Sequence, residues 1–185
     1  MIKETLICHP ETASPLNCQL EAAVIKLNAE HIQISYQLTG DTSQLLIPEQ
    51  QISCSSDNLW QQTCFELFIA QTDAESYYEF NFSPSNLWAA YAFDCYRVRR
   101  EWVIKQVPSI TVSQSQSNYQ LDAVINMADL ELLSAQQSWL IGLSAVLETQ
   151  QHELSYWALK HPEAQPNFHL RVGYIPFTFY PALKP

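Results

Sequence analysis

Tyr77-Tyr78-Glu79-Phe80-Asn81-Phe82-Ser83-Pro84-Ser85-Asn86-Leu87-Trp88-Ala89-Ala90-Tyr91-Ala92-Phe93-Asp94 reads as two extended segments joined by a tight turn. Ser83-Pro84-Ser85-Asn86 suits a type I turn, because a proline in second place pre-sets the backbone angle that this position requires. Two antiparallel strands should therefore flank it. With one bulge residue after the turn, Phe82 falls opposite Trp88, Phe80 opposite Ala90 and Glu79 opposite Tyr91. Alternation with period two then sorts the faces. Tyr78, Phe80 and Phe82 point to a core, and Tyr77, Glu79 and Asn81 point the other way.

The run upstream, Thr63–Ala70, obeys the same rule, with Phe65, Leu67 and Ile69 on one face and Cys64, Glu66 and Phe68 on the other. A one-residue slip would turn a whole apolar set to the wrong side, so burial selects the register. The register that aligns the apolar faces is expected to set Glu66 beside Glu79 on a partly open face. Directly opposed carboxylates repel. Compensation could come from a cation such as Arg97 or Arg99, from a shared proton, or from the hydroxyls of a ligand; a pair exposed to water would simply tolerate the repulsion. Phe68, Tyr77, Tyr91 and Phe93 share this face. Carboxylate and amide groups rimmed by aromatic rings are what a sugar site needs, since rings stack on C–H faces and polar groups take hydroxyls.

Strand patterning continues in both directions. In Ile32-Gln33-Ile34-Ser35-Tyr36-Gln37-Leu38 the even positions are apolar and the odd ones polar, and Tyr119–Ile125 repeats the pattern with Val124 as the exception. Glu21–Leu27, Ile110–Gln114, Trp139–Leu147 and Leu154–Leu159 are further strands. The clusters Thr39-Gly40-Asp41 and Ser115-Gln116-Ser117-Asn118 are turns. One helical turn is expected at Ala128–Leu133, capped by Asn126. Many short strands and almost no helix predict an all-β chain. The expected architecture is a two-sheet antiparallel β-sandwich, immunoglobulin-like or jelly-roll-like, with one short helical turn. The buried set should include Phe65, Leu67, Tyr78, Phe80, Phe82, Leu121, Ile125, Ile141 and Leu143. No linker or repeat divides the 185 residues, so 1–185 is expected to be a single domain.

Composition narrows the partners. Hydrophobic residues make up 47% and charged residues 15%, which excludes disorder as the main state. A formal net charge of −10 speaks against nucleic acid and against anionic membrane surfaces, both of which call for clustered Lys and Arg. No apolar run approaches membrane-spanning length. The N-terminal Met1-Ile2-Lys3-Glu4-Thr5 lacks the pattern of a secretory signal, and Cys8, Cys18, Cys54, Cys64 and Cys95 form no CxxC pair. These features predict a cytoplasmic protein with free thiols. No motif speaks to the oligomeric state.

Four runs together resemble the DOMON-like proteins, which are similar in turn to family 9 carbohydrate-binding modules. They are Leu59-Trp60-Gln61-Gln62-Thr63-Cys64-Phe65-Glu66-Leu67-Phe68-Ile69, Tyr78-Glu79-Phe80-Asn81-Phe82-Ser83-Pro84, Trp88-Ala89-Ala90-Tyr91 and Ser155-Tyr156-Trp157-Ala158-Leu159-Lys160-His161-Pro162. The resemblance implies a sandwich whose concave sheet binds sugars in some members and haem in others. Its sugar reading puts polar contacts at Glu66, Glu79 and Asn81, with Tyr91 on the same face. Trp60 and Trp157, each at a strand end or loop, would be the stacking rings, and Arg97 would reach a hydroxyl or neutralise the carboxylates. A Trp in a sandwich can equally be a core plug. The expected partner is a carbohydrate or similar hydroxylated small molecule, with no cofactor and no metal.

Two other classes stay open. Carboxylates on neighbouring strands fall near the separation of a retaining glycosidase pair, roughly 5 Å, which makes a hydrolase using Glu66 and Glu79 conceivable. No phosphate loop, GxSxG elbow or metal-spaced His/Cys set accompanies them. A haem- or protein-binding module is the third possibility. Haem in the resembling family takes Met and His ligands. Here only Met1 and Met127 are available as methionines, with His161 and His169 as late loop candidates.

Overall fold

The computed structural model describes residues 1–130 and 138–178. Its strands are β1 (Ile2–Cys8), β2 (Cys18–Lys26), β3 (His31–Gly40), β4 (Cys64–Gln71), β5 (Tyr77–Phe82), β6 (Trp88–Cys95), β7 (Val98–Arg100), β8 (Ser109–Gln114), β9 (Asn118–Asn126), β10 (Trp139–Glu148), β11 (Leu154–Ala158) and β12 (Ile175–Phe177). The strand order is β7-β6-β5-β4-β10-β11-β1-β2-β3-β9-β8, with β12 also on β10, and every pair is antiparallel. β1 joins the two layers: Ile2–Leu6 pair with β2, while Ile7 and Cys8 pair with β11. One layer, sheet A, is therefore β1-β2-β3-β9-β8, and sheet B runs from β11 through β10, β4, β5 and β6 to β7. The chain is all-β, as expected. No helix among the described residues is long and apolar enough to cross a membrane.

The core between the layers is built from the inward members of each alternating strand. All nine residues expected there are buried. Across the interface Phe65 of β4 stacks on Tyr119 of β9, with ring centroids 6.0 Å apart, and packs at a tilt against Tyr36 of β3 at 5.0 Å. The Tyr36 hydroxyl donates to the backbone carbonyl of Glu66 at 2.6 Å, which ties sheet A to β4 directly beneath that carboxylate.

The β5–β6 hairpin has the register read from its turn: Phe82 faces Trp88, Phe80 faces Ala90 and Glu79 faces Tyr91. Asn86 N–H closes the turn on the Ser83 carbonyl at 3.1 Å. The φ of Asn86, 75°, is the left-handed conformation that a bulge after a type I turn demands, and asparagine tolerates it better than most residues.

Three strands escape the alternation rule. β1 carries Lys3, Glu4 and Thr5 in succession, and β7 and β12 have three residues each, too few to show a period. The expected helical turn is a 3₁₀ turn at Met127–Asp129, starting one residue earlier, with Asn126 Oδ1 accepting from the Ala128 N–H at 2.8 Å, and three further 3₁₀ turns lie at Pro10–Thr12, Leu59–Gln61 and Arg171–Gly173. Residues 131–133 of the expected turn lie outside the described residues.

Candidate functional site

Sheet B turns its second face to the segment that follows β11. From β4 come Cys64, Glu66, Phe68 and Ala70; from β5 come Tyr77, Glu79 and Asn81. A sheet face with this many rings would be unstable in water. Residues 160–174 cross over it. Phe68, Ala70, Tyr77, Phe93 and Tyr174 form a second buried cluster, with Phe168 packed against it. The Arg171 guanidinium fastens the strap by donating to the backbone carbonyls of Gln71 and Ala74 at the β4–β5 connection. Gly142 of β10 makes room for this: a Cβ there would lie 2.5 Å from the Tyr174 ring.

Beside the strap the face opens into a cleft of about 510 Å³, within the range of small-molecule sites. Glu66 and Glu79 lie in its floor. Trp60, Phe93, Tyr156 and Phe168 line its sides, and Arg97, Arg99 and His169 complete the rim.

Two features differ from expectation. Glu66 pairs with Asn81 and Glu79 pairs with Phe68, so the carboxylates are diagonal neighbours two residues out of register. The apolar faces align in this register as they would in the expected one, so alternation alone could not separate the two. The directly opposed pair, on which the retaining-glycosidase spacing rested, is absent. Nor is the face partly open at these residues: Glu66 is 3% and Glu79 6% exposed, because the strap covers what period two leaves unburied.

Burial governs the chemistry. It pushes the Glu66 carboxyl well above the usual range, and the neighbouring Glu79 adds to the rise, against a weaker pull from Ser144 and Arg97. Ser144 Oγ lies 3.4 Å from Glu66 Oε2. Burial raises Glu79 too, but Asn81 Nδ2 donates to its Oε1 at 2.6 Å, and Arg99 and Arg97 favour its charged form. Cys64 Sγ contacts Asn81 Oδ1 at 3.5 Å and orients the amide.

His169 is inserted among Phe68, Tyr77, Phe93 and Tyr96, each edge-on to its ring. The Tyr77 hydroxyl accepts from the Arg97 N–H at 3.0 Å, so its proton is free for His169 Nδ1 at 2.8 Å. With the Tyr77 hydroxyl as donor, the imidazole proton sits on Nε2, which faces Glu79 Oε2 at 3.7 Å. Burial, then Arg97 and Arg99, lower the His169 pKa to about 4, so the ring is neutral around pH 7 despite the carboxylate beside it. Both ring nitrogens are thus engaged or faced by protein groups.

The remaining sequence candidates divide. Trp60, at a 3₁₀ turn spanning Leu59–Gln61, is 44% exposed and reaches the cleft. Trp157 does not. It is 7% exposed, joins the inter-sheet core, and donates from Nε1 to Ser155 Oγ at 3.0 Å. Its strand-end position suggested a loop ring, but the β10–β11 register sets it opposite Ala145 on the inner face. Tyr156, one residue earlier, is the ring on the cleft side; the same alternation carried that signal. Tyr91, like Asn81, does not line the cleft: its hydroxyl donates to Asp57 Oδ1 at 2.6 Å, and the Arg99 guanidinium lies 3.7 Å from its ring centroid. Arg97 lines the cleft as expected, with a left-handed φ of 57°. Arg99, which the sequence offered as a cation beside the carboxylates, also lines the cleft; Phe168 was not among the sequence's ligand contacts. His161 contacts the Ile7 carbonyl at 2.8 Å, and Met127 is in the core. Among the described residues no three His, Cys, Asp or Glu side chains gather as a metal-binding group.

No protein-family model matches the chain, and no curated protein does. Solved structures do. A protein from Bacteroides uniformis, provisionally described as carbohydrate-binding, superposes with a TM-score of 0.69 at 11% identity, covering 95% of this chain and 85% of that one. A family 9 carbohydrate-binding module from Caldicellulosiruptor kristjanssonii, solved with glucose, gives 0.56 at 8% identity over 89% of this chain and 78% of its own. A structure of such a module from the same organism with cellotriose gives 0.51 at 8% over 83% and 70%. The likeness is one of fold: this chain has a carbohydrate-binding-module-like β architecture.

Proposed function

We propose that the chain is a non-catalytic binding module for a sugar or a similar hydroxylated small molecule, held in the cleft over sheet B. One observation carries the reading: a cleft of about 510 Å³ sets hydrogen-bonding carboxyls, Glu66 and Glu79, in its floor and aromatic rings, Trp60, Tyr156 and Phe168, around them. Rings of this kind cover the apolar C–H face of a pyranose, and buried acceptors discriminate its hydroxyls. The solved structures of similar fold, one with glucose and one with cellotriose, support the reading, as does the DOMON-like resemblance of the runs around Glu66 and Glu79. Titration against a panel of mono- and disaccharides tests it. Trp60→Ala should weaken a measured interaction, and Glu79→Gln should weaken it by about 1–3 kcal/mol, the range for one charged hydrogen bond. No heat of binding for any sugar would sink the proposal.

A hydrolase is the second reading. The observation favouring it is an asymmetry: burial and a neighbouring carboxyl push Glu66 well above the usual range, while Asn81, Arg99 and Arg97 counter the smaller rise of Glu79, the kind of difference that acid-base pairs use. Product release, abolished by Glu66→Gln with affinity retained, would replace the binding module with an enzyme.

A further inference from the structure

We propose that the cleft selects sugars that carry a carboxylate, the uronic-acid class, through the two guanidiniums of Arg97 and Arg99. The inference rests on the sugar-binding reading of this same cleft and names its ligand class.

The chain has 9 Lys and Arg against 19 Asp and Glu, yet two of those cations line one cleft. Ion pairs among the described residues engage Lys3 and Arg100, and neither Arg97 nor Arg99. Both act on the floor through space, favouring the charged form of Glu79, and neither forms an ion pair with Glu66 or Glu79. Arg97 donates to Asn167 Oδ1 at 3.3 Å, and Arg99 lies over the Tyr91 ring. These contacts fix both side chains while leaving most of their five N–H donors each for a ligand. Position is held as well: the Tyr77 hydroxyl takes the Arg97 N–H in the β6–β7 turn, two residues before Arg99 of β7.

Two carboxylates outside the cleft lining are hydrogen-bonded elsewhere, Asp57 to the Tyr91 hydroxyl and Glu163 to Asn167 Nδ2 at 2.8 Å. In the floor, burial pushes the Glu66 carboxyl well above the usual range, and the imidazole beside Glu79 is neutral. The cleft therefore presents two guanidiniums that no ion pair engages, on a molecule whose net charge of −10 repels anions elsewhere. A planar carboxylate on a sugar ring suits them, because the guanidinium fork takes it with two parallel hydrogen bonds.

Calorimetry with glucuronate and glucose, galacturonate and galactose, and acetate tests the inference on the wild type and on an Arg97→Gln/Arg99→Gln double variant whose folding is checked by near-ultraviolet circular dichroism. The uronate should bind about tenfold tighter than its neutral parent, the factor expected of one charge-assisted hydrogen bond. In the double variant that ratio should fall to parity. A neutral sugar bound as tightly as its uronate by the wild type overturns the inference and leaves the sugar-binding reading standing. A preference that persists in the double variant overturns the assignment to these residues. Acetate bound as tightly as the uronate would make the cleft a simple anion site. No binding of any sugar would take both readings down together.

Discussion

β3 and β4 sit in opposite layers with their inner rings in contact, and they differ in what covers their second face. In β3, Ile32, Ile34, Tyr36 and Leu38 are sealed while His31, Gln33, Ser35 and Gln37 stay half-buried. In β4 all eight residues are buried. The inner faces are alike. The outer face of β3 meets solvent, and the outer face of β4 meets the strap of residues 160–174. A carboxylate on β3 would be an ordinary charge in water. On β4 the same group, Glu66, sits in a medium that penalises ionisation, and that difference turns a strand residue into a candidate for ligand chemistry.

The comparison makes Phe68 a core residue although it lies on the outer face. Phe68→Ala should cost about 3–5 kcal/mol, as much as Phe80→Ala on the inner face, in equilibrium denaturation. A cost under about 1 kcal/mol, the scale of a surface change, would mean that the strap does not seal the outer face.

Gly142→Ala probes the seal from beneath. Its Cβ would meet the Tyr174 ring at 2.5 Å, so the ring must move. We expect a loss of about 1–3 kcal/mol, the usual penalty of overpacking. Amide exchange around residues 168–174 should quicken while the centre of β3 is unaffected. Uniform quickening in both sheets would break the comparison.

Glu66→Gln sharpens it through pH. The folded-state pKa of Glu66 is raised, so the folded state holds a proton that the unfolded chain releases near 4.5. Stability due to that proton is complete below pH 4.5 and is lost as pH rises toward the folded value. The glutamine variant should match wild type in acid and become the more stable above pH 4.5. The gap should grow by about 1.4 kcal/mol for each pH unit over which Glu66 stays protonated. A constant difference across pH would show a carboxylate ionised as on an open face.

The smallest effect belongs to β3. Gln33→Ala, on its wet face, should change stability by less than about 0.5 kcal/mol. A larger loss would show that this face, too, is covered.

Much of this was legible in the residues. The β5–β6 register followed from Ser83-Pro84-Ser85-Asn86, since the turn's backbone geometry leaves few pairings open. The faces of β4 and β5 followed from alternation, and Phe68 beside Glu66 already hinted at a face not meant for water. The direct opposition of Glu66 and Glu79 did not follow. Registers two residues apart keep every apolar side chain on its own face, and only the pairing of Glu66 with Asn81 distinguishes them. Trp157 was assigned by its place at a strand end, where the alternation of β11 would have sent it inward and Tyr156 outward.

Local patterns thus determined the all-β class, the inner faces and the side of sheet B that carries Glu66, Glu79 and Asn81. Those properties depend on residues two apart or on a four-residue turn. Tertiary structure alone decided that the carboxylates are diagonal and buried, that His169 is a neutral wedge beside Glu79, and that Arg97 and Arg99 border one cleft with Trp60 and Phe168. These contacts join residues far apart in the chain: Arg171 holds the strap on Gln71, 100 positions away. No period in the chain encodes such a contact, because the free energy that selects it comes from burying the outer rings of sheet B, and that face exists only once the strands have paired.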